Sequence, residues 1–182
     1  YRRCSEKYEL PVLAGGWFYV LGRDEDLLME NLCLGARLGS LVHNTQIIMD
    51  HQDGSLVSDE QVVEIYLRAY ETGEACGCRP TFEVHVNMWS EDFRRIEKVA
   101  DLVEKQGIPF RMTLDHSHVI FKIDNPREQE VFNIRESIEN GDLVLDPFQD
   151  NHVCGKWIER GFVSNCHVGA GVLNNPTNIW KA

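Results

Sequence analysis

The chain has 182 residues, 43% of them hydrophobic, 26% charged and 9% aromatic, with a net charge of −11. That mix suits one packed domain, residues 1–182, and argues against a disordered tail, a fibre or a small disulfide scaffold. The acid excess repels phosphate backbones and anionic headgroups, and no apolar run approaches the ~18 residues of a membrane span. Neither nucleic acid nor membrane is therefore an expected partner.

The elements alternate. Residues 16–21, aromatic and β-branched between glycines, read as a strand. A helix then starts near Asp24, with Leu27, Leu28, Leu32, Leu34 and Leu38 as its apolar positions. Residues 44–50 form a second strand. Ser58 with Gln61 three residues on makes a capping box, followed by Val62, Ile65, Tyr66, Ala69 and Tyr70 at helical spacing. Residues 81–87 form the third strand. Ser90 is expected to cap a helix carrying Phe93, Ile96, Val99, Ala100 and Val103, closed by Gly107 and Pro109. A fourth strand at 111–115, a helix over 128–139 ending at Gly141, and a fifth strand at 162–168 complete the pattern.

The six cysteines stand at 4, 33, 76, 78, 154 and 166, with no CxxC pair. Cys76-Gly77-Cys78 is too tight for a comfortable disulfide. Reduced thiols in a cytoplasmic protein are the expectation, a metal held by Cys76 and Cys78 the lesser alternative.

Strands alternating with helices imply an α/β fold with a parallel sheet. Side-chain parity says which kind. Phe82, Val84 and Val86 share one face of the third strand, while Glu83, His85 and Asn87 share the other. Thr45, Ile47 and Met49 oppose Asn44, Gln46 and Asp50, and Met112 and Leu114 oppose Arg111, Thr113 and Asp115. A doubly wound sheet is apolar on both faces and carries a glycine fingerprint after a strand. Here one face is polar, and its chemistry sharpens toward the strands' C-terminal ends. That pattern fits the lumen of a (β/α)8 TIM barrel, whose active site lies at that mouth.

Three strand ends carry potential ligands: Glu83 with His85, Asp115 with His118, and His167. Carboxylate plus imidazole suits Mn²⁺, Mg²⁺, Co²⁺ or Zn²⁺. Each residue alone is more simply a hydrogen-bonded polar group at a strand end. Their coincidence on lumen-facing positions is what points to a metal.

Glu83, then Asp115-x-x-His118, then His167, on successive strands, resembles the xylose isomerase-like TIM barrels, which include sugar isomerases and ketose 3-epimerases. The resemblance implies Glu83, Asp115 and His167 as metal ligands, with a fourth ligand, a Glu on the eighth strand, serving also as acid/base. It implies Glu83 and His118 as catalytic residues, with His118 beside the metal and hydrogen-bonded to substrate or hydroxide. His85 and Trp89 are placed at the substrate, though His85 as a structural hydrogen-bonding group and Trp89 as simple packing are equal alternatives. The family's barrel runs to roughly 250 residues, so the chain is expected to hold about strands three to seven. Gly169-Ala170-Gly171 departs from the family in lacking an arginine often found beyond the ligand histidine. The expected partners are a small carbohydrate and either a second copy of the chain or a complementing barrel segment. A zinc endonuclease of the endonuclease IV type uses the same barrel, but it needs a richer His/Glu set and a basic stripe. A non-catalytic barrel fragment is the other alternative.

Overall fold

The computed structural model describes residues 2–168. Five strands form one parallel sheet: β1 (Ala14–Tyr19), β2 (Val42–Ile47), β3 (Arg79–Glu83), β4 (Met112–Asp115) and β5 (Val163–His167). They lie side by side in chain order, β1-β2-β3-β4-β5. Sequential order has no reversal, so the sheet lacks the switch point of doubly wound folds. The helices are α1 (Arg2–Tyr8), α2 (Glu25–Leu38), α3 (Asp59–Cys76), α4 (Arg94–Glu104), α5 (His116–Ile120), α6 (Pro126–Gln129), α7 (Arg135–Glu139) and α8 (Val153–Glu159). None is long and apolar enough to cross a membrane.

The apolar parity face makes the core. Tyr19, Ile47, Phe82, Val84, Met112 and Leu114 are buried with Leu28 and Leu32 of α2, Val62, Ile65 and Tyr66 of α3, and Ile96, Val99 and Val103 of α4. Full burial of one such side chain contributes about 1.5–3 kcal/mol. The capping box at Ser58 forms as the sequence predicts, with Ser58 accepting from the Gln61 N–H and Gln61 returning the bond. Gly73 lets α3 press on β3, since a Cβ there would stand 2.5 Å from the Cys78 carbonyl oxygen and 2.8 Å from Pro80.

Several expectations need correction. Of the expected apolar stripe of α2, Leu28 and Leu32 are buried, but Leu27 and Leu34 face outward. Ser90 does not cap α4, which starts only at Arg94. Its hydroxyl instead donates to the Glu83 carbonyl at 2.6 Å and accepts from the His85 N–H, ending β3 four residues earlier than its apolar alternation suggests. The helix expected over 128–139 is broken: α6 ends at Gln129, and a short 3₁₀ turn (Val131–Asn133) intervenes before α7. Phe132 and Asn133 have φ of 63° and 51°, which no α-helix accommodates. Gly169, Ala170 and Gly171 lie outside the described residues.

Candidate metal centre

Strand register brings the polar parity face together. Gly16 and Phe18 pair with Asn44 and Gln46, Asn44 with Thr81, Glu83 with Thr113, and Asp115 with His167. Thr81 and Thr113 share a 2.8 Å hydroxyl bond, and Asn165 Nδ2 donates to Thr113 Oγ1 at 2.9 Å. Above this tier sit the ligand candidates.

Glu83, the last residue of β3, is 2% exposed. Its Oε2 accepts from Asn44 Nδ2 at 2.8 Å and from Gln46 Nε2, both from β2. Its Oε1 accepts from His167 Nδ1 at 2.9 Å. Asp115 ends β4 and also caps α5, its Oδ1 accepting from the Ser117 N–H at 3.0 Å and from the Ser117 hydroxyl. Its Oδ2 lies 3.5 Å from His167 Nδ1 and 3.6 Å from His118 Nε2. One ligand atom each from Glu83, Asp115 and His167 falls within 4.8 Å of the others.

The two carboxylates divide their oxygens alike. Each gives one to protein donors and turns the other toward His167. Outer partners of this kind orient ligands and stop them rotating away. Two hard oxygens and one imidazole nitrogen suit a divalent ion such as Mn²⁺, Mg²⁺, Co²⁺ or Zn²⁺. The residues present therefore fit a metal.

Burial pushes the Glu83 carboxyl above its ordinary range, against the opposing pull of the Asn44 bond and the His167 charge. Burial acts on Asp115 in the same sense, but the Ser117 bonds and the nearby His118 and His167 prevail and hold it below the usual carboxylate range. Burial and then the neighbouring His85 lower His118. The side chain of His167 is 50% exposed, against 2% for Glu83 and 16% for Asp115, so the cluster opens to solvent on the histidine's side.

His85 and His118 stand together, ring centroids 3.9 Å apart, beside this cluster. His85 Nδ1 bonds the Val86 carbonyl at 2.7 Å, which makes Nδ1 the protonated nitrogen and leaves Nε2 as an acceptor. The Phe18 ring meets His85 edge-on at 6.0 Å. Trp89, expected at the pocket, lies elsewhere. It is 1% exposed and packs on Phe82 on the helix-covered side, because the Ser90 staple turns the chain back toward the core.

Sequence reasoning placed Asn44 and Gln46 on the polar face without giving them a role. Their parity with Glu83 on the neighbouring strand was the available signal. It also passed over a buried ion pair, Lys122 Nζ to Glu91 Oε1 at 2.9 Å, whose side chains are 1% and 4% exposed. Glu91 Oε2 accepts from the Asn87 N–H, and Lys122 also donates to the Glu128 carbonyl. No local pattern announces a lysine buried by a glutamate thirty-one positions away.

No known family profile, curated protein or solved structure matches this chain.

Proposed function

We propose that this chain belongs to a divalent-metal-dependent isomerase or epimerase that moves a proton on a sugar or related polyol through an enediolate. The observation that carries the reading is the convergence of Glu83 Oε1, Asp115 Oδ2 and His167 Nδ1, with the remaining carboxylate oxygens fixed by Asn44, Gln46 and Ser117. The sequential parallel sheet, polar on one face and helix-packed on the other, supports a sector of a (β/α)8 barrel.

Glu83, Asp115 and His167 would hold the ion. When bound, it supplies Lewis acidity that stabilises the negative charge developing on adjacent substrate oxygens. The chain's own residues do the rest. Glu83, whose carboxylate is held in place by the two amide bonds to Oε2, takes the carbon-bound proton. Returning the proton to the neighbouring carbon isomerises; returning it to the opposite face of the same carbon epimerises. His118, with its pKa lowered and Asp115 beside it, hydrogen-bonds a substrate hydroxyl in its neutral form. His85 offers Nε2 to a second hydroxyl.

Calorimetric titration with Mn²⁺ and solvent-deuterium incorporation into a panel of ketoses, aldoses and polyols test the reading. About one ion per chain with deuterium at carbon supports it. Three ions would favour a zinc hydrolase, and no ion and no exchange a non-catalytic barrel sector; either result overturns it.

A further inference from the structure

Away from the metal centre, α2 and α3 border a groove of about 780 Å³ lined by Met29, Cys33, Arg37, Thr72 and Cys76 among others. Each helix follows a strand of one parallel sheet, so the two run in the same direction. Within their packing, Thr72 Oγ1 donates to Met29 Sδ at 3.1 Å, which fixes the relative register at that level. One helical turn further on, at i+4 on each helix, stand Cys33 and Cys76. That spacing places the two thiols opposite each other on the groove wall that both residues line. Both are half-buried and free, and both face the groove.

We propose that Cys33 and Cys76 are a thiol–disulfide exchange site that closes to a disulfide clamping α2 to α3 when a low-molecular-weight disulfide is present. Packed helices run ~8–10 Å apart with Cα atoms on cylinders of ~2.3 Å radius, which leaves facing Cα atoms within or just below the ~4.4–6.8 Å of real disulfides. The groove gives a small disulfide access. The Cys33 thiolate attacks one sulfur of the reagent, whose S–S bond breaks and releases one thiolate. Cys76 then loses its proton to solvent and attacks the Cys33 sulfur, releasing the second. Two protein thiols are oxidised and one reagent disulfide is reduced to two thiols. Because the attacking species is the Cys76 thiolate, the closing step accelerates with rising pH.

The neighbouring cysteines have other fates. Cys78 is fully buried, with its thiol pushed up to about 11 by burial, and its sulfur lies 3.2 Å from where a Cβ on Gly35 would stand. Cys4 and Cys166 are exposed and serve as internal indicators that the reagent has acted.

The test incubates the reduced chain with oxidised glutathione at pH 8 and maps peptides without reduction. The expected result is a Cys33–Cys76 cross-link, with Cys4 and Cys166 carrying glutathione. Cys76→Ser should convert the cross-link to a persistent glutathione adduct on Cys33. The cross-linked chain should melt roughly 5–10 °C higher, an increase that dithiothreitol abolishes. Separate adducts on Cys33 and Cys76, both thiols still free after Cys4 and Cys166 have reacted, or a cross-link to another cysteine would each overturn the proposal.

Discussion

Acidification from pH 7 to 4.5 should remove stability through one residue behind the candidate site, His43. It is 4% exposed on the helix-facing side of β2, and burial drives its pKa down from 6.5 to about 4. Asn31 Nδ2 donates to Tyr19 Oη at 2.9 Å, and Tyr19 Oη bonds His43 Nε2 at 2.6 Å. The tyrosine proton therefore goes to Nε2, and protonating His43 would set two donors against each other. Because the folded value lies below the unfolded one, the unfolded chain binds the proton more tightly. The contribution is complete above pH 6.5 and is lost as pH falls toward 4. At about 1.4 kcal/mol per pKa unit the whole effect is about 3 kcal/mol, of which roughly 2 kcal/mol falls between pH 7 and 4.5. Urea unfolding of the wild type and of His43→Gln at several pH values isolates it, since the other titrating groups cancel in the difference. Glutamine keeps an acceptor for Tyr19 but has nothing to protonate. Equal pH slopes for the two proteins across this window would refute the reasoning.

Further outcomes follow from the same contacts. Glu83→Gln keeps the side-chain volume but loses charge and basicity, so Mn²⁺ affinity should fall and deuterium exchange should drop by ~10²–10⁴ or more, with the circular dichroism spectrum retained. Wild-type exchange rates in this variant would remove Glu83 from the site. Asp115→Asn should weaken Mn²⁺ binding while excess Mn²⁺ partly restores exchange, and His116→Ala should be mild on both counts. A dead His116→Ala beside an active Glu83→Gln would invert the assignment of faces. Lys122→Met leaves Glu91 charged and unpaired in the interior and should cost about 3–5 kcal/mol in urea unfolding. Adding Glu91→Gln should recover much of that loss, and a single-variant cost below ~1 kcal/mol would show the pair to be energetically idle.

Much of the molecule was legible because the information is local. The five strands showed as short aromatic, β-branched or alternating runs, and the α3 start as Ser58 and Gln61, three residues apart. Parity alone put Glu83, Asp115 and His167 on one face near the strand ends, since the side-chain period in a strand is two whatever the sheet does. Local rules failed where a distant partner outbid them. Ser90 looked like a helix cap, yet its hydroxyl found the Glu83 carbonyl and moved Trp89 into the core. The 128–139 segment had helical composition, but Phe132 and Asn133 take left-handed φ values and split it.

The sequence by itself determined which residues could serve as ligands, the layered α/β class and the side of the sheet that is polar, because these follow from periodicity and side-chain chemistry. Only the tertiary structure decided that three of those residues meet, that Asn44, Gln46 and Ser117 set which carboxylate oxygen is presented, and that Lys122 is buried against Glu91. Those outcomes depend on strand register and on loops folding back across it. Register is set by the packing of whole elements rather than by any neighbouring residue.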